Sequence, residues 1–359
     1  MMMLNSQRLE LARKRRRFTA KSLAEVARVS PVTISRIVNG TQEADRKTVE
    51  ALAAALGFPV EFFFLDEPSS ISPDAASFRS LTSMSARERD AALAAGAIAY
   101  ELADWVASRF DLPEPDLLDL GADHEPEAAA RTLRQHWLIG ERPIGGMISL
   151  LEAKGVRVFS LAENTKNVDA FSSWRDDEPF VFLNTFKTTE RSRFDAAHEL
   201  GHLVLHRHAG PQQTRRAEYE AQSFAASFLM PRNDVVATIP YVKSLDEIIH
   251  HKKRWGVSAS ALAYRLHKMG ILSDWQYRSY CIQLNRDYGR SEPEGLPSER
   301  SSVWHTVLTE LWKDGVSREA IARDLRVPED EIDNLIFGLV GDGGPRTVTS
   351  ERSLRLVKG

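Results

Sequence analysis

Residues 194–206, FDAAHELGHLVLH, decide how the rest of the chain is read. They contain His198-Glu199-Leu200-Gly201-His202, an H-E-x-x-H pattern. On an α-helix four residues advance the chain by roughly 400°, so the two imidazoles project within about 40° of each other. Two imidazoles one turn apart on one face supply two ligands to a single tetrahedral Zn²⁺. Glu199, beside the first of them, stands where a general base would take a proton from activated water. Three fixed positions in five are a moderate signal, because an amphipathic helix also carries histidines by chance. The flanks add weight. Phe194, Ala197, Leu200, Leu203 and Val204 form an apolar helical face, so the segment reads as a core helix. Polar groups taken into a core are costly unless satisfied, and a metal satisfies them.

A third ligand is needed, and two places offer one. His208 stands where an H-E-x-x-H-x-x-G-x-x-H peptidase puts its third histidine, but that pattern turns the chain at a glycine and this chain has Leu205 there. If the helix continues, His208 is rotated about 600° from His202 and points away. The other place is residues 217–231, AEYEAQSFAASFLMP, which read as a second helix ended by Pro231. Ala221, Phe224, Ala225 and Phe228 make its core face, and Glu220 borders that face. A His₂Glu set holds catalytic zinc and leaves one position for water. Glu220 is the favoured third ligand, with Glu218 as the alternative.

The runs RFDAAHELGHLVLH (193–206) and EYEAQSFAASFLMPR (218–232) resemble the ImmA/IrrE family of zinc metallopeptidases, over about residues 143–278. The resemblance implies Zn²⁺ held by His198, His202 and Glu220, with Glu199 as the catalytic base. It also implies narrow proteolysis of a repressor-type transcription factor during stress or mobile-element induction. Segments 156–161, 169–174 and 179–184 read as strands. Three strands under the metal helix are similar to the small sheet of zincin-type peptidases. The strand at 180–184 is expected to present an edge to an extended peptide, making Val181 and Leu183 substrate-binding residues.

Residues 4–66 read as five short helices, with a tight turn at Arg28-Val29. Ser30 as N-cap and Pro31 as first helical residue then make a strong start signal. Helix, turn and a short helix carrying Thr33, Ser35 and Arg36 is a geometry whose second helix can enter a major groove about 12 Å wide. Ala24, Val29, Ile34 and Ile37 are the expected core between the two helices. The run SLAEVARVSPVTISRIVNG (22–40) resembles the lambda-repressor-like, XRE-type helix-turn-helix. Mapped along it, Val32, Thr33, Ser35 and Arg36 are candidate base readers. Arg13, Lys14, Arg15, Arg16, Arg17, Arg46 and Lys47 are candidate phosphate contacts. Double-stranded DNA is the implied partner of this head.

Charge agrees with that division. Residues 1–66 hold 11 Lys/Arg against 7 Asp/Glu, whereas the whole chain of 359 residues carries a net −3. A basic head on an acidic body suits an anionic partner for the head. One cysteine, Cys281, excludes an intrachain disulfide and a multi-thiolate zinc site. No apolar run approaches the roughly 18 residues of a membrane span, and no apolar stretch opens the chain as a signal peptide would. A cytoplasmic protein is expected.

The expected fold class is α+β and mostly helical, in four parts: head (1–66), Ser/Pro-rich linker (67–85), peptidase domain with a small sheet and helical extension (86–290), and C-terminal helical segment with tail (291–359). Residues 292–297 read as a second linker, and the tail after Asp342 as disordered. The segment VSASALAYRLHKMGIL (257–272) looks superficially like another helix-turn-helix, but its apolar helix suits packing. The helix at Glu329-Asp-Glu-Ile-Asp333 is acidic where a recognition helix would meet phosphates, so packing or homodimerisation is its expected role. The cleaved protein is expected to be a repressor or the chain's own 68–85 linker. The rival expectation is a regulator whose peptidase-like body senses a ligand without cutting.

Overall fold

The computed structural model describes residues 4–71, 85–161, 170–208, 215–289 and 291–341. The expectations for the tail after Asp342 and for most of the 68–85 linker lie outside these residues. Among the described residues the chain is mostly helical, with one three-stranded sheet.

The head is built from α1 (Ser6–Arg15), α2 (Ala20–Ala27), α3 (Pro31–Val38), α4 (Arg46–Leu56) and a 3-10 turn at Val60–Phe64. Local chemistry sets each boundary. Asn5 caps α1, Thr19 and Ser22 form a capping box on α2, Ser30 caps α3 ahead of Pro31, and Asp45 caps α4. Each supplies an acceptor to a backbone N–H that the first helical turn leaves unpaired. Arg28 enters the left-handed region to turn α2 into α3. Ala24, Ile34 and Ile37 are buried as expected and Val29 is half-buried; Leu9, Leu23, Leu52, Phe62 and Phe63 complete the core.

A long Ala-rich helix, α5 (Ala86–Ala107), joins head to body. Helix α1 lies along it, tied by Arg8 to Glu101 at 2.6 Å. The opposite side of α5 meets the sheet, where the Tyr100 hydroxyl bonds Ser173 Oγ at 2.9 Å. Gly96 makes this junction possible. A Cβ there would stand 2.3 Å from Ile71 and 3.4 Å from the rings of Phe171 and Phe182.

After α6 (Pro126–His136) and α7 (Met147–Ala153) come β1 (Arg157–Ser160), β2 (Ala170–Arg175) and β3 (Glu178–Leu183). The strand order is β1-β3-β2, with β1 parallel and β2 antiparallel to β3. This corrects one expectation. β3 is the middle strand, paired on both sides, and Val181 and Leu183 are wholly buried. They pack core and have no free edge to offer a peptide.

Helices α8 (Thr189–Leu205) and α9 (Arg215–Leu229) pair closely beside the sheet, followed by α10 (Arg232–Thr238), α11 (Leu245–Trp255), α12 (Ala259–Lys268) and α13 (Asp274–Tyr288). α11 and α12 do turn through a left-handed Gly256. Leu262, Ala263 and Leu266 are buried, so this pair packs into the body as expected.

Residues 291–301, read in part as a linker, form a strap pinned by buried charge. Fully buried Lys252 pairs with Glu190 and Glu292, both at 3.1 Å. Leu296 N–H donates to Glu190 at 2.9 Å. Glu299 accepts from the Met147 and Ile148 backbone N–H groups and pairs with Arg193. Buried charges without partners are very costly, so the strap is structural.

The chain ends in α14 (Ser302–Lys313), α15 (Arg318–Leu325) and α16 (Glu329–Ile336). The turn from α15 to α16 repeats the head's own, with Arg326 at φ 55° matching Arg28 at φ 55°. The acidic first turn of α16 meets the head. Glu331, with no exposed side-chain surface, pairs with Arg15 at 2.6 Å and Arg16 at 3.1 Å, and Asp330 pairs with Arg16 at 2.8 Å. α16 is thus a packing helix that receives α1. Removing one partner of a buried pair costs about 3–5 kcal/mol, because the other charge is left uncompensated. Glu331→Ala should therefore lower unfolding free energy in urea by about that amount. A loss below about 1 kcal/mol would be the behaviour of a solvated surface pair.

Candidate metal centre

Helix α8 carries His198 and His202 one turn apart, at 4% and 3% exposure. Their Nε2 atoms face each other at 3.1 Å. From α9, Glu218 brings its Oε2 to 3.4 Å from His198 Nε2 and its Oε1 to 3.5 Å from His202 Nε2. The three donor atoms lie within 4.8 Å of one another, the only such His/Cys/Asp/Glu grouping found among the described residues. Both Glu218 oxygens and His198 Nδ1 are buried and hydrogen-bond to nothing in the structure. An unsatisfied buried carboxylate is costly, and a cation between the three groups would satisfy it. Burial pushes His202 down to about 4. Burial alone would raise Glu218, but the approach of His198 and His202 outweighs it and brings the carboxyl to about 2. A neutral imidazole at His202 and an ionised carboxylate at Glu218 are the states that a divalent cation requires of such ligands.

The structure therefore brings Glu218, not Glu220, to the histidine pair. Glu220 lies against His206, Oε2 to Nε2 at 3.0 Å, and its other oxygen accepts from Arg216 at 2.6 Å. His208 points elsewhere, is largely exposed and pairs with Asp119 at 2.7 Å. Close packing of α9 on α8 depends on Gly201. A Cβ there would meet Phe224 at 3.0 Å and the Ala221 backbone at 3.2 Å.

Glu199 is buried, and its Oε2 accepts from Ser172 Oγ at 2.8 Å. Ser172, on β2, is not among the residues expected from sequence, where its segment reads only as a strand. No motif marks it; only the crossing of β2 beside α8 brings it to Glu199. Nearby, the Arg207 guanidinium stacks 3.9 Å over Trp174.

On the head, Val32, Ser35 and Arg36 are exposed on α3, Val32 at 58%. Thr33 is half-buried, its hydroxyl 2.8 Å from that of Ser30. Arg46 and Lys47 are exposed at the start of α4, with Arg46 reaching Glu50 at 2.8 Å. Lys14 is exposed, and Arg17 is half-buried in the turn after α1. Three expected phosphate contacts are engaged within the protein. Arg13 pairs with Glu10 at 2.6 Å and donates to Phe18 O, while Arg15 and Arg16 are held by α16. A basic run does not by itself make a basic face. On a helix, five consecutive residues point in every direction.

Comparison with known families agrees with the two parts of this description. Residues 151–267 match the family model of the IrrE N-terminal-like domain, a peptidase family. Residues 9–63 match a helix-turn-helix family model. No curated protein matches the chain. No helix among the described residues is long and apolar enough to cross a membrane. The chain joins a helix-turn-helix domain of the XRE-like kind to an IrrE-like peptidase-type domain.

Proposed function

We propose that the chain is a DNA-binding transcriptional regulator that carries a zinc endopeptidase, with the metal held by His198, His202 and Glu218. The buried, unpartnered carboxylate of Glu218 facing two Nε2 atoms carries this reading. Bound there, zinc supplies a Lewis acid that polarises a scissile carbonyl and activates water. The remaining chemistry belongs to the chain. Glu199 takes the proton from the attacking water and delivers it to the leaving amine. Ser172 Oγ–H holds the Glu199 carboxylate by donating to Oε2. The proposed substrate is an extended segment of a repressor-type transcription factor or the chain's own 68–85 linker, since a folded backbone cannot lie across the metal. On the head, α3 is proposed to read bases through Arg36, Ser35 and Val32, with Lys14, Arg46 and Lys47 on phosphates. Arg15 and Arg16 are left out of that set.

Purified protein should carry about one zinc per chain, since one ion occupies three protein ligands. His202→Ala and Glu218→Ala should lose it, measured by elemental analysis, and Glu199→Gln should keep it. Gly201→Ala should weaken retention by pushing α9 from α8. Full retention in Glu218→Ala would remove the ligand assignment.

Proteolysis is tested by intact mass after incubation with zinc, with DNA present and absent. Fragments split within residues 68–85, missing in Glu199→Gln, are the expected sign of self-cleavage. Cleavage of an added repressor alone points to a separate target. No cleavage of either leaves a regulator that senses without cutting.

Duplex DNA should bind with affinity that falls as salt rises, because phosphate contacts release counterions. Arg36→Ala should reduce discrimination between sites by about 1–3 kcal/mol if it reads a base bidentately. Lys47→Ala should weaken all sequences alike. An unchanged salt slope on removing both Arg46 and Lys47 would place the DNA on another face.

A further inference from the structure

The side chains around Glu220 form a chain of hydrogen bonds that ends on the histidine pair. Arg216 donates to Glu220 Oε1 at 2.6 Å, Glu220 Oε2 lies 3.0 Å from His206 Nε2, and His206 Nδ1 lies 3.1 Å from His202 Nδ1. Each link constrains the next. An ionised carboxylate only accepts, so the proton between Glu220 and His206 sits on His206 Nε2. In a neutral imidazole the other nitrogen is then an acceptor, so His206 Nδ1 receives the bond from His202. His202 must therefore carry its proton on Nδ1, and its Nε2 is left bare. That bare nitrogen is the one that faces His198 and Glu218.

We infer that Glu220 and His206 are a positioning pair for the metal centre, fixing the tautomer and ring orientation of His202 so that its Nε2 lone pair points at the ion. This rests on the reading of His198, His202 and Glu218 as the ligand set. The two candidate histidines differ in this respect. His198 Nδ1 is buried and hydrogen-bonds to nothing in the structure, so no acceptor stands behind the His198 ring. His206 is itself 6% exposed and at the C-cap of α8, where a plain capping residue would face solvent. A carboxylate or other acceptor behind a metal-binding imidazole raises its basicity and holds its ring, and loss of such a partner typically weakens metal binding by about 10–100-fold.

The test is a zinc titration of the apo full-length protein against a chromophoric chelator, which reads affinity without any activity. His206→Ala should bind zinc about 10–100-fold more weakly than wild type, and Glu220→Ala should weaken it by a smaller factor. The double variant should be no weaker than His206→Ala alone, because both act through one chain of bonds. His206→Asn, whose side-chain oxygen can accept from His202 Nδ1, should recover much of the loss. Circular dichroism of the apo proteins checks folding; where His206→Ala fails to fold, Glu220→Ala decides. Wild-type affinity in Glu220→Ala and His206→Ala, with binding still lost in Glu218→Ala, overturns the positioning pair and leaves the metal site standing. Additive losses in the double variant also overturn it. Zinc binding kept in Glu218→Ala but abolished in Glu220→Ala exchanges the two roles and overturns both readings.

Discussion

Helix α9 lies closely against α8 where position 201 has no side chain. With Phe224 and the Ala221 backbone 3.0–3.2 Å from where a Cβ would stand, an added side chain requires these neighbours to give by a few tenths of an ångström. The contact does more than fill space. It carries Glu218 to the two imidazoles and Glu220 to His206, so a shift of a few tenths of an ångström would loosen both sets of polar contacts at once. Interiors packed to crystal-like density transmit such shifts rather than absorb them. The candidate metal centre is thus held by the helix contact at Gly201, which directly precedes His202.

Around this helix pair the molecule is tied together by buried charge to an unusual extent. Lys252 with Glu190 and Glu292, Arg193 with Glu299, and Glu331 with Arg15 each join segments far apart in the chain. Ion pairs of this kind are weak sources of net stability but costly to break. Their effect is to select one arrangement of the strap, the C-terminal helices and the head. Helix α5 is common to these arrangements, touching α1 through Glu101 and the sheet through Tyr100. The head is therefore docked on the body through α1, while the exposed side chains of α3 face outward.

Much of the chain was legible in order. Helix ends were readable where a cap marked them, as at Ser30-Pro31, because such signals act on the nearest turn. The H-E-x-x-H helix was readable because helical periodicity alone stacks His198 over His202. Both family resemblances rested on such local runs, and both family models match the same regions.

What the sequence could not settle were choices between near neighbours, each decided by how elements meet. Glu218 and Glu220 are two residues apart on one helix, and only the placement of α9 against α8 determines which faces the histidine pair. Whether β3 lay at an edge depended on strand order, which pairs β1 with β3 across the intervening β2. Which arginines of the 13–17 run are engaged across the fold depended on α16, more than 300 positions away. Ser172 carried no signal until β2 crossed beside Glu199. Local sequence determined the helices, their ends and the chemistry of the metal-binding motif, because those depend on residues within a few turns. Tertiary packing decided which glutamate meets the histidine pair and which basic side chains are engaged, because those depend on contacts between segments whose separation in sequence carries no record of their distance in space.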